Sequence, residues 1–251
     1  DILYLGGNKL MRSMDQGENW EAISGDLTAG GKTGNVAYGS LTSISESKFQ
    51  FGLLYTGSDD GLVQISKDGG ANWTNISRGL PEDLWVSRVF ASTHKKARVY
   101  ISLNGYRWDD FTPYIYVSEN YGSTWKSLGG DLPISPINVI KEDPENENAL
   151  YLGTDNGAYA SLDRGESWEV FSNGLPNVAV HDMVIQTEAK DLVLGTHGRS
   201  LYVADVELIQ KLTAANMNEV VVADIKEVSH SKRWGSSRND WSELYEPSVE
   251  I

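Results

Sequence analysis

Short runs of β-branched and aromatic residues alternate along the chain with clusters of Gly, Asn, Asp and Pro. Runs such as LLYTG (53–57), YIYVS (114–118) and ALYLG (149–153) have the length and composition of β-strands. The polar clusters between them contain the residues that tight turns require. One segment, at 206–218, instead spaces its apolar residues along a helical face. The pattern therefore predicts an all-β protein with a short helix near its C-terminal end.

One polar pattern recurs four times between these strands, and we call it the turn motif. Its common form is S-x-D-x-G-x-[S/T/N]-W. Ser and Asp can hydrogen-bond nearby backbone N–H groups and close a tight turn, Gly supplies a conformation that a Cβ disfavours, and Trp places a large ring in the core. The third copy has Asn in place of Asp, and since Asn also accepts hydrogen bonds, we expect this turn to form as well. The four copies are Ser13, Asp15, Gly17 and Trp20; Ser66, Asp68, Gly70 and Trp73; Ser118, Asn120, Gly122 and Trp125; and Ser161, Asp163, Gly165 and Trp168.

The spacing of the motif predicts the architecture. From Ser to Ser the copies are 53, 52 and 43 residues apart, and periods of this size are typical of β-propellers, whose blades are four-stranded antiparallel sheets. We name the strands of a blade A to D from the channel outward, so that the turn motif joins strand C to strand D. Residues 1–205 are then predicted to form about four and a half blades of an incomplete ring.

Residues 206–251 are predicted to form a C-terminal extension to these blades. Asp205 is suited to cap a helix over 206–218, and a strand is predicted at 219–228. After a polar loop, the chain is predicted to end in a strand at 245–251 that is cut off. The extension carries no copy of the turn motif.

Composition narrows the classes of function. The 35 Asp and Glu residues outnumber the 21 Lys and Arg residues, giving a formal net charge of −14, which argues against a nucleic-acid or anionic-membrane partner. No apolar run is long enough to span a bilayer. The chain has no cysteine, so it forms no disulfide and carries out no thiol chemistry. Nothing in the sequence indicates a cofactor.

The order of the strands separates two faces of the propeller. In an antiparallel blade the A-to-B turns lie on the same side as the C-to-D turns, and we call this side the motif face. The B-to-C turns and the D-to-A crossovers lie on the opposite side, the channel face. Ligands of propellers usually bind at the mouth of the channel on that side, so candidate functional residues are sought there.

The B-to-C segment of the third blade, 102–114, is the longest. The Ser of the motif follows the Tyr of strand B by 18 positions in this blade. In the first, second and fourth blades it follows by 9, 11 and 10 positions. An aromatic residue beside Arg and carboxylates can stack on a sugar ring and hydrogen-bond its hydroxyl groups. The alternative is a rigid surface loop closed by an Arg–Asp pair. The ligand-binding candidates here are Tyr106, Arg107, Trp108, Asp109 and Asp110.

A second set of candidates lies on the channel face of the fifth blade. His181 and Asp182 follow the crossover into that blade, and His197 and Arg199 lie in its B-to-C turn. Asp182 could orient His181 as a general base; alternatively, these residues tie a loop to the neighbouring blade. Their spacing fits no metal-site signature, so no metal is predicted.

The turn motif resembles the Asp-box, also called the bacterial neuraminidase repeat (BNR). Over most of 1–205, the runs at 104–114, 137–168, 174–186 and 192–205 resemble the large bacterial sortilin-like BNR proteins, which are often labelled glycosyl hydrolases. This resemblance implies a β-propeller exported from the cell, to the extracellular space or the periplasm. It also implies that the motif lies at the blade periphery, away from any ligand, so that its Asp residues have a structural role.

The resemblance implies three alternative functions. The first is a binding or scaffold propeller that holds a glycan or a protein segment at the channel face. The second is a glycoside hydrolase, sialidase-like or xyloglucanase-like, with carboxylates partly outside this chain, because Asp109 and Asp110 are adjacent and would point to opposite faces of a strand. The third is a sortilin-like peptide receptor. In each case a further chain or further blades would complete the ring.

Overall fold

The computed structural model describes residues 2–30 and 39–212. Within these ranges, strands that are consecutive along the chain pair into five antiparallel sheets. The predicted strands at 219–228 and 245–251 lie outside the described residues. The prediction of an all-β fold built of antiparallel blades is confirmed.

Each sheet is a meander, and the second to fourth have all four strands, A to D. In the first sheet the described strands are B to D, and in the fifth they are A to C. The strands are, sheet by sheet, β1 (Leu3–Gly6), β2 (Leu10–Ser13) and β3 (Glu21–Ala22); β4 (Leu41–Glu46), β5 (Leu54–Ser58), β6 (Val63–Ser66) and β7 (Thr74–Asn75); β8 (Trp85–Ala91), β9 (Val99–Gly105), β10 (Asp110–Ser118) and β11 (Lys126–Ser127); β12 (Ile137–Glu142), β13 (Leu150–Thr154), β14 (Gly157–Ser161) and β15 (Glu169–Val170); and β16 (Val180–Gln186), β17 (Asp191–Thr196) and β18 (Leu201–Asp205).

The hydrophobic core lies between consecutive sheets. One buried cluster joins Tyr55 and Val63 of the second sheet to Val89 and Ile101 of the third. Similar clusters join the third sheet to the fourth, the fourth to the fifth and the first to the second. Strands B of the second to fourth sheets, β5, β9 and β13, are buried along their whole length because each lies between two neighbouring sheets. Sheets packed face to face in chain order give the arrangement of propeller blades.

The helix after the last described strand is shorter than predicted. It spans Glu207–Lys211 (α1), and Leu212 already has an extended backbone. The N-cap residue is Val206 and not the predicted Asp205, but the Asp205 carboxylate, one residue earlier, accepts the N–H of the first helical residue, Glu207, at 2.8 Å. Asn146 of the fourth sheet donates through Nδ2 to the carbonyl oxygen of Leu212 at 2.7 Å, and this bond holds the end of the helix on that sheet.

Local hydrogen bonds close each turn motif. In the first copy the Ser13 hydroxyl accepts the Gly17 N–H and donates to Asp15, both at 2.8 Å. Asp15 in turn accepts the Asn19 N–H at 2.9 Å. In the third copy Asn120 Oδ1 accepts the equivalent backbone N–H, also at 2.9 Å. Asn therefore closes the turn with the same backbone bond as Asp.

In the second to fourth blades the indole of the motif also bonds to the preceding blade. Trp73 Nε1 donates to the Ile23 carbonyl oxygen at 3.0 Å. The indoles of Trp125 and Trp168 make the same bond to the preceding blade, at 2.8 Å each. In the first blade Trp20 donates to the Gly17 carbonyl oxygen of its own turn at 3.0 Å, and its side chain is 40% exposed. The motif therefore closes a turn and also bonds to a neighbouring blade.

Acid should destabilise the fold partly through these turns. Hydrogen bonds from the Asn19 side chain and backbone lower the pKa of Asp15 from 3.8 to about 2. The equivalent side-chain bond lowers the pKa of Asp68. At Asp163 partial burial raises the pKa, but hydrogen bonds from Ser167 outweigh it and leave the pKa lowered. A carboxyl with a lowered pKa in the folded state stabilises the fold above its unfolded pKa, and this contribution is lost as the pH falls.

We therefore expect the melting temperature to fall between about pH 4 and pH 2. Because Asn closes the third turn, a variant with Asp15→Asn, Asp68→Asn and Asp163→Asn should fold at neutral pH. It should also lose less thermal stability than the parent over the same acid range. Melting curves followed by circular dichroism would measure this, and parallel pH profiles for variant and parent would contradict the expectation.

Candidate functional site

The third sheet places its long hairpin on the channel face. Strands β9 and β10 pair from Val99 with Ser118, at the turn motif, to Gly105 with Asp110 at the other end. Tyr121 of the motif donates its backbone N–H to Ala97 at 2.8 Å, so the motif and the A-to-B turn share one end of the sheet. The length of the β9–β10 hairpin thus separates the candidate residues from the motif.

The inserted residues lengthen this hairpin, so that most of the B-to-C segment at 102–114 is strand. Strand β9 runs on to Gly105, a single 3₁₀ turn spans Tyr106–Trp108, and β10 begins at Asp110 with a bulge before Tyr114. The connection itself is short, because the inserted residues continue the strand pairing on both sides of one tight turn. The tip of the hairpin is consequently carried by paired strands, with a bulge at 111–113.

An exposed aromatic surface covers the hairpin tip, and we call Trp85, Tyr106, Arg107, Trp108 and Phe111 the aromatic hairpin. Tyr106 is 43%, Trp108 56% and Phe111 45% exposed. The Trp85 and Tyr106 rings meet edge to face with centroids 6.3 Å apart. The Arg107 guanidinium lies 5.4 Å from the Trp85 ring and 5.7 Å from the Tyr106 ring, within the range of cation–π contacts. Rings and guanidinium thus support one another at the tip.

The two carboxylates of the hairpin have different environments. Asp110 accepts the Thr112 N–H at 3.0 Å and the Tyr114 hydroxyl at 2.8 Å. Partial burial raises the pKa of Asp110, but these hydrogen bonds outweigh it and leave the pKa below its usual value. Asp109 has a left-handed backbone (φ 55°), and its N–H donates to the Tyr106 carbonyl oxygen. Asp110 is therefore ionised and held by the hairpin. Its pKa is lowered, whereas the pKa of a carboxyl group that acts as a general acid is raised.

The two histidines of the fifth sheet come together. The His181 and His197 rings have centroids 5.2 Å apart, and both residues are exposed, as is Arg199 in the same turn as His197. Asp182 accepts a hydrogen bond from Arg88 of the third sheet at 2.8 Å. Asp182, which the sequence suggested as the partner of His181, is thus engaged by Arg88 instead. Sequence reasoning missed this ion pair.

A bulge recurs at one position in strand A, and sequence reasoning missed it. The register of strands A and B shifts by one residue in each of the second to fifth sheets. The Thr42 hydroxyl of the second sheet donates to the Val86 carbonyl oxygen of the third at 2.6 Å. The Ser87 hydroxyl of the third sheet donates to the Ile137 carbonyl oxygen of the fourth at 2.7 Å. His181 occupies this position in the fifth sheet. The bulged residues are Thr42, Ser87, Asn138 and His181.

Residues 2–30 and 39–212 contain no group of three or more His, Asp or Glu side chains arranged to hold a metal ion. Over the same residues, no helix has the length and apolar character that a membrane crossing requires.

Comparison with known proteins identifies the fold. No family model matches the chain, and no curated protein matches its sequence. The GH74 xyloglucanase from Xanthomonas campestris is 14% identical, with a TM-score of 0.61 over 81% of this chain and 34% of that chain. The extracellular domain of BT4673 from B. thetaiotaomicron is 18% identical, with a TM-score of 0.58 over 81% of this chain and 26% of that chain.

A third neighbour, YCF48 bound to D1 peptide, is 17% identical, with a TM-score of 0.52 over 80% of this chain and 61% of that chain. The chain thus spans between 26% and 61% of the length of these three proteins. At such identities the likeness shows the fold alone. The five sheets of this chain are blades of a β-propeller.

Proposed function

We propose that this chain is part of an exported β-propeller that binds a glycan on its channel face, with the aromatic hairpin as the contact surface. The observation that carries the proposal is the exposure of Tyr106, Trp108 and Phe111 on a hairpin built of paired strands. Exposed rings on a rigid support can stack on the apolar faces of sugars. Arg107 adds a planar set of donors for hydroxyl groups.

Binding accounts for the described residues better than hydrolysis does. A glycoside hydrolase needs two carboxyl groups about 5–10 Å apart, one of which acts as a general acid. Asp110 is hydrogen-bonded within its own hairpin, and Asp182 is paired with Arg88. The xyloglucanase among the structural neighbours supports a polysaccharide ligand, and the extracellular domain supports export. Hydrolysis and peptide binding are the alternatives that the experiment must separate.

Replacement of Trp108 by Ala tests the proposal. We expect the dissociation constant for a bound oligosaccharide to rise about tenfold or more, as is usual for truncation of a Trp at the centre of a binding surface. Phe49→Ala is the matched control, because Phe49 is 43% exposed in the A-to-B turn on the motif face. Titration calorimetry on a panel of oligosaccharides would measure both variants.

Each outcome of this experiment has a distinct meaning. Equal affinity in the Trp108→Ala and Phe49→Ala variants would contradict the role of the hairpin. Release of reducing ends by the unmodified protein would show a hydrolase. If no oligosaccharide in the panel binds while an extended peptide does, the receptor alternative replaces the proposal.

We also propose that a further blade packs against the first one. Trp73, Trp125 and Trp168 all bond to a preceding blade, whereas the Trp20 indole bonds within its own turn. Leu5 and Met14 of the same blade are 59% and 56% exposed. These observations support a neighbour that presents a backbone carbonyl group and an aliphatic side chain to Trp20.

A further inference from the structure

The innermost strands of the third to fifth blades form a continuous wall along the channel, and their registers align its side chains in rows. Arg88, Val139 and Asp182 occupy equivalent positions immediately after the bulge in β8, β12 and β16. Two residues farther along, toward the motif-face ends of β8 and β12, Phe90 and Lys141 occupy the next row. Val139 of the fourth blade therefore lies between Arg88 of the third blade and Asp182 of the fifth.

Arg88 and Asp182 meet across this fourth blade. Their Nη2 and Oδ1 atoms are 2.8 Å apart, and the side chains are 25% and 58% exposed. The Arg88 Nε is buried and has no hydrogen-bond partner among the described residues. A buried donor without a partner is costly. One carboxylate thus leaves part of this guanidinium unsatisfied.

Lys141 adds a second cation beside this pair. Its ammonium group lies 5.2 Å from the centre of the Phe90 ring. Burial, followed by the charge of Arg88, lowers the pKa of Lys141. Among residues 2–30 and 39–212, no carboxylate oxygen lies within 4 Å of its Nζ. The wall therefore carries two positive charges and one negative charge, in a chain whose net charge is −14.

We propose that this wall binds the anionic group of an acidic sugar, so that the glycan held by the aromatic hairpin extends along the channel and carries carboxylate or sulfate groups. The proposal rests on the proposed function. Arg88 supplies hydrogen-bond donors in a plane, Lys141 supplies a point charge, and Phe90 supplies a ring beside them. Asp182 is more than half exposed, so its carboxylate remains able to accept a hydrogen bond from a hydroxyl group of the sugar. Partial burial strengthens the attraction because the charges are less screened by water.

Lys141→Gln tests the proposal, because it removes the charge without adding a group that clashes. We expect the affinity for oligogalacturonate, a carboxylated probe, to fall about tenfold. The affinity for a neutral cello-oligosaccharide should stay within about twofold. Lys48→Gln is the matched control, since the Lys48 ammonium lies 5.5 Å from the Phe49 ring centre on the motif face. A sulfated oligosaccharide of similar length distinguishes the two kinds of anion.

The outcomes separate this proposal from the one on which it depends. Neutral and acidic probes that bind equally well to the unmodified protein would overturn the anionic site and leave glycan binding intact. Equal losses in Lys141→Gln and Lys48→Gln would also overturn it. If no probe of any charge binds, both proposals fail. A preference for the acidic probe that Lys141→Gln and Arg88→Gln each abolish, and that weakens with added salt, would establish the site.

Discussion

Replacing Arg98 by Ala is expected to lower the free energy of unfolding by roughly 3–5 kcal/mol, the cost of breaking a buried ion pair by removing one partner. The Arg98 side chain is 0% exposed. It donates to Glu119 at 2.8 Å, to Glu142 at 3.2 Å and to Glu147 at 3.0 Å. These contacts join the third blade to the fourth, so their loss affects the packing between two blades.

Glu142 is the reason for the size of the effect. Its side chain is also 0% exposed, and without Arg98 a carboxylate would stay buried with no cation beside it. Its remaining partners are neutral. The Ser92 hydroxyl donates to it at 2.7 Å, the Thr93 N–H and hydroxyl at 2.6 and 3.1 Å, and the Tyr100 hydroxyl at 3.0 Å. Burial and then the charge of Glu142 raise the pKa of Tyr100, so the hydroxyl stays protonated and donates. These neutral donors stabilise the carboxylate but do not neutralise its buried charge.

Urea denaturation of matched variants measures the effect. Lys126→Ala breaks an exposed ion pair with Glu166, whose side chains are 59% and 64% exposed, and should change stability by about 1 kcal/mol or less. The double variant Arg98→Met and Glu142→Gln removes both charges, so it should lose clearly less than the sum of the two single changes. If Arg98→Ala and Lys126→Ala cost the same, Arg98 is not required to neutralise a buried charge.

The sequence allowed prediction of those features that depend on residues close together along the chain. The turn motif closes through atoms within four residues, such as Ser13 with Gly17 and Asp15 with Asn19. The strands follow from the apolar runs, and the hairpin at Trp108 was noticed because an insertion changes the spacing of a repeat. Its role in binding remains a prediction, as do those of His181, Asp182, His197 and Arg199.

Contacts between blades could not be predicted in the same way. The Arg88–Asp182 pair joins residues 94 positions apart, and the Arg98–Glu142 pair residues 44 positions apart. One sequence does not show which of many charges meet over such separations. The bulges had no visible signal either, because one extra residue in strand A changes the direction of His181 without changing the apolar pattern. The part that Trp85 plays in the aromatic hairpin was missed because Trp85 lies on β8, about 20 residues before the hairpin tip along the chain.

Two glycines at the same position of the turn motif should respond differently to substitution by Ala. Gly17 and Gly70 both have φ of 97°, so a Cβ costs each roughly 1–2 kcal/mol in backbone strain. A Cβ on Gly70 would also lie 2.6 Å from the Ile23 carbonyl oxygen and 2.8 Å from its Cβ. This overpacking against the preceding blade adds roughly 1–3 kcal/mol. On Gly17 the nearest atom, Leu3 Cδ1, is 3.5 Å away, which is ordinary contact.

We therefore expect Gly70→Ala to destabilise the chain by roughly 3 kcal/mol and Gly17→Ala by about half as much, measured as shifts in the urea midpoint at constant slope. The comparison holds the backbone conformation constant and varies only the neighbouring blade. Equal losses would show that the close approach to Ile23 relaxes without cost. The same pair tests the proposed further blade, because in an assembly that supplies a blade beside Trp20 the cost of Gly17→Ala should rise to that of Gly70→Ala. A cost that stays unchanged there would mean that the first blade meets its neighbour in another way.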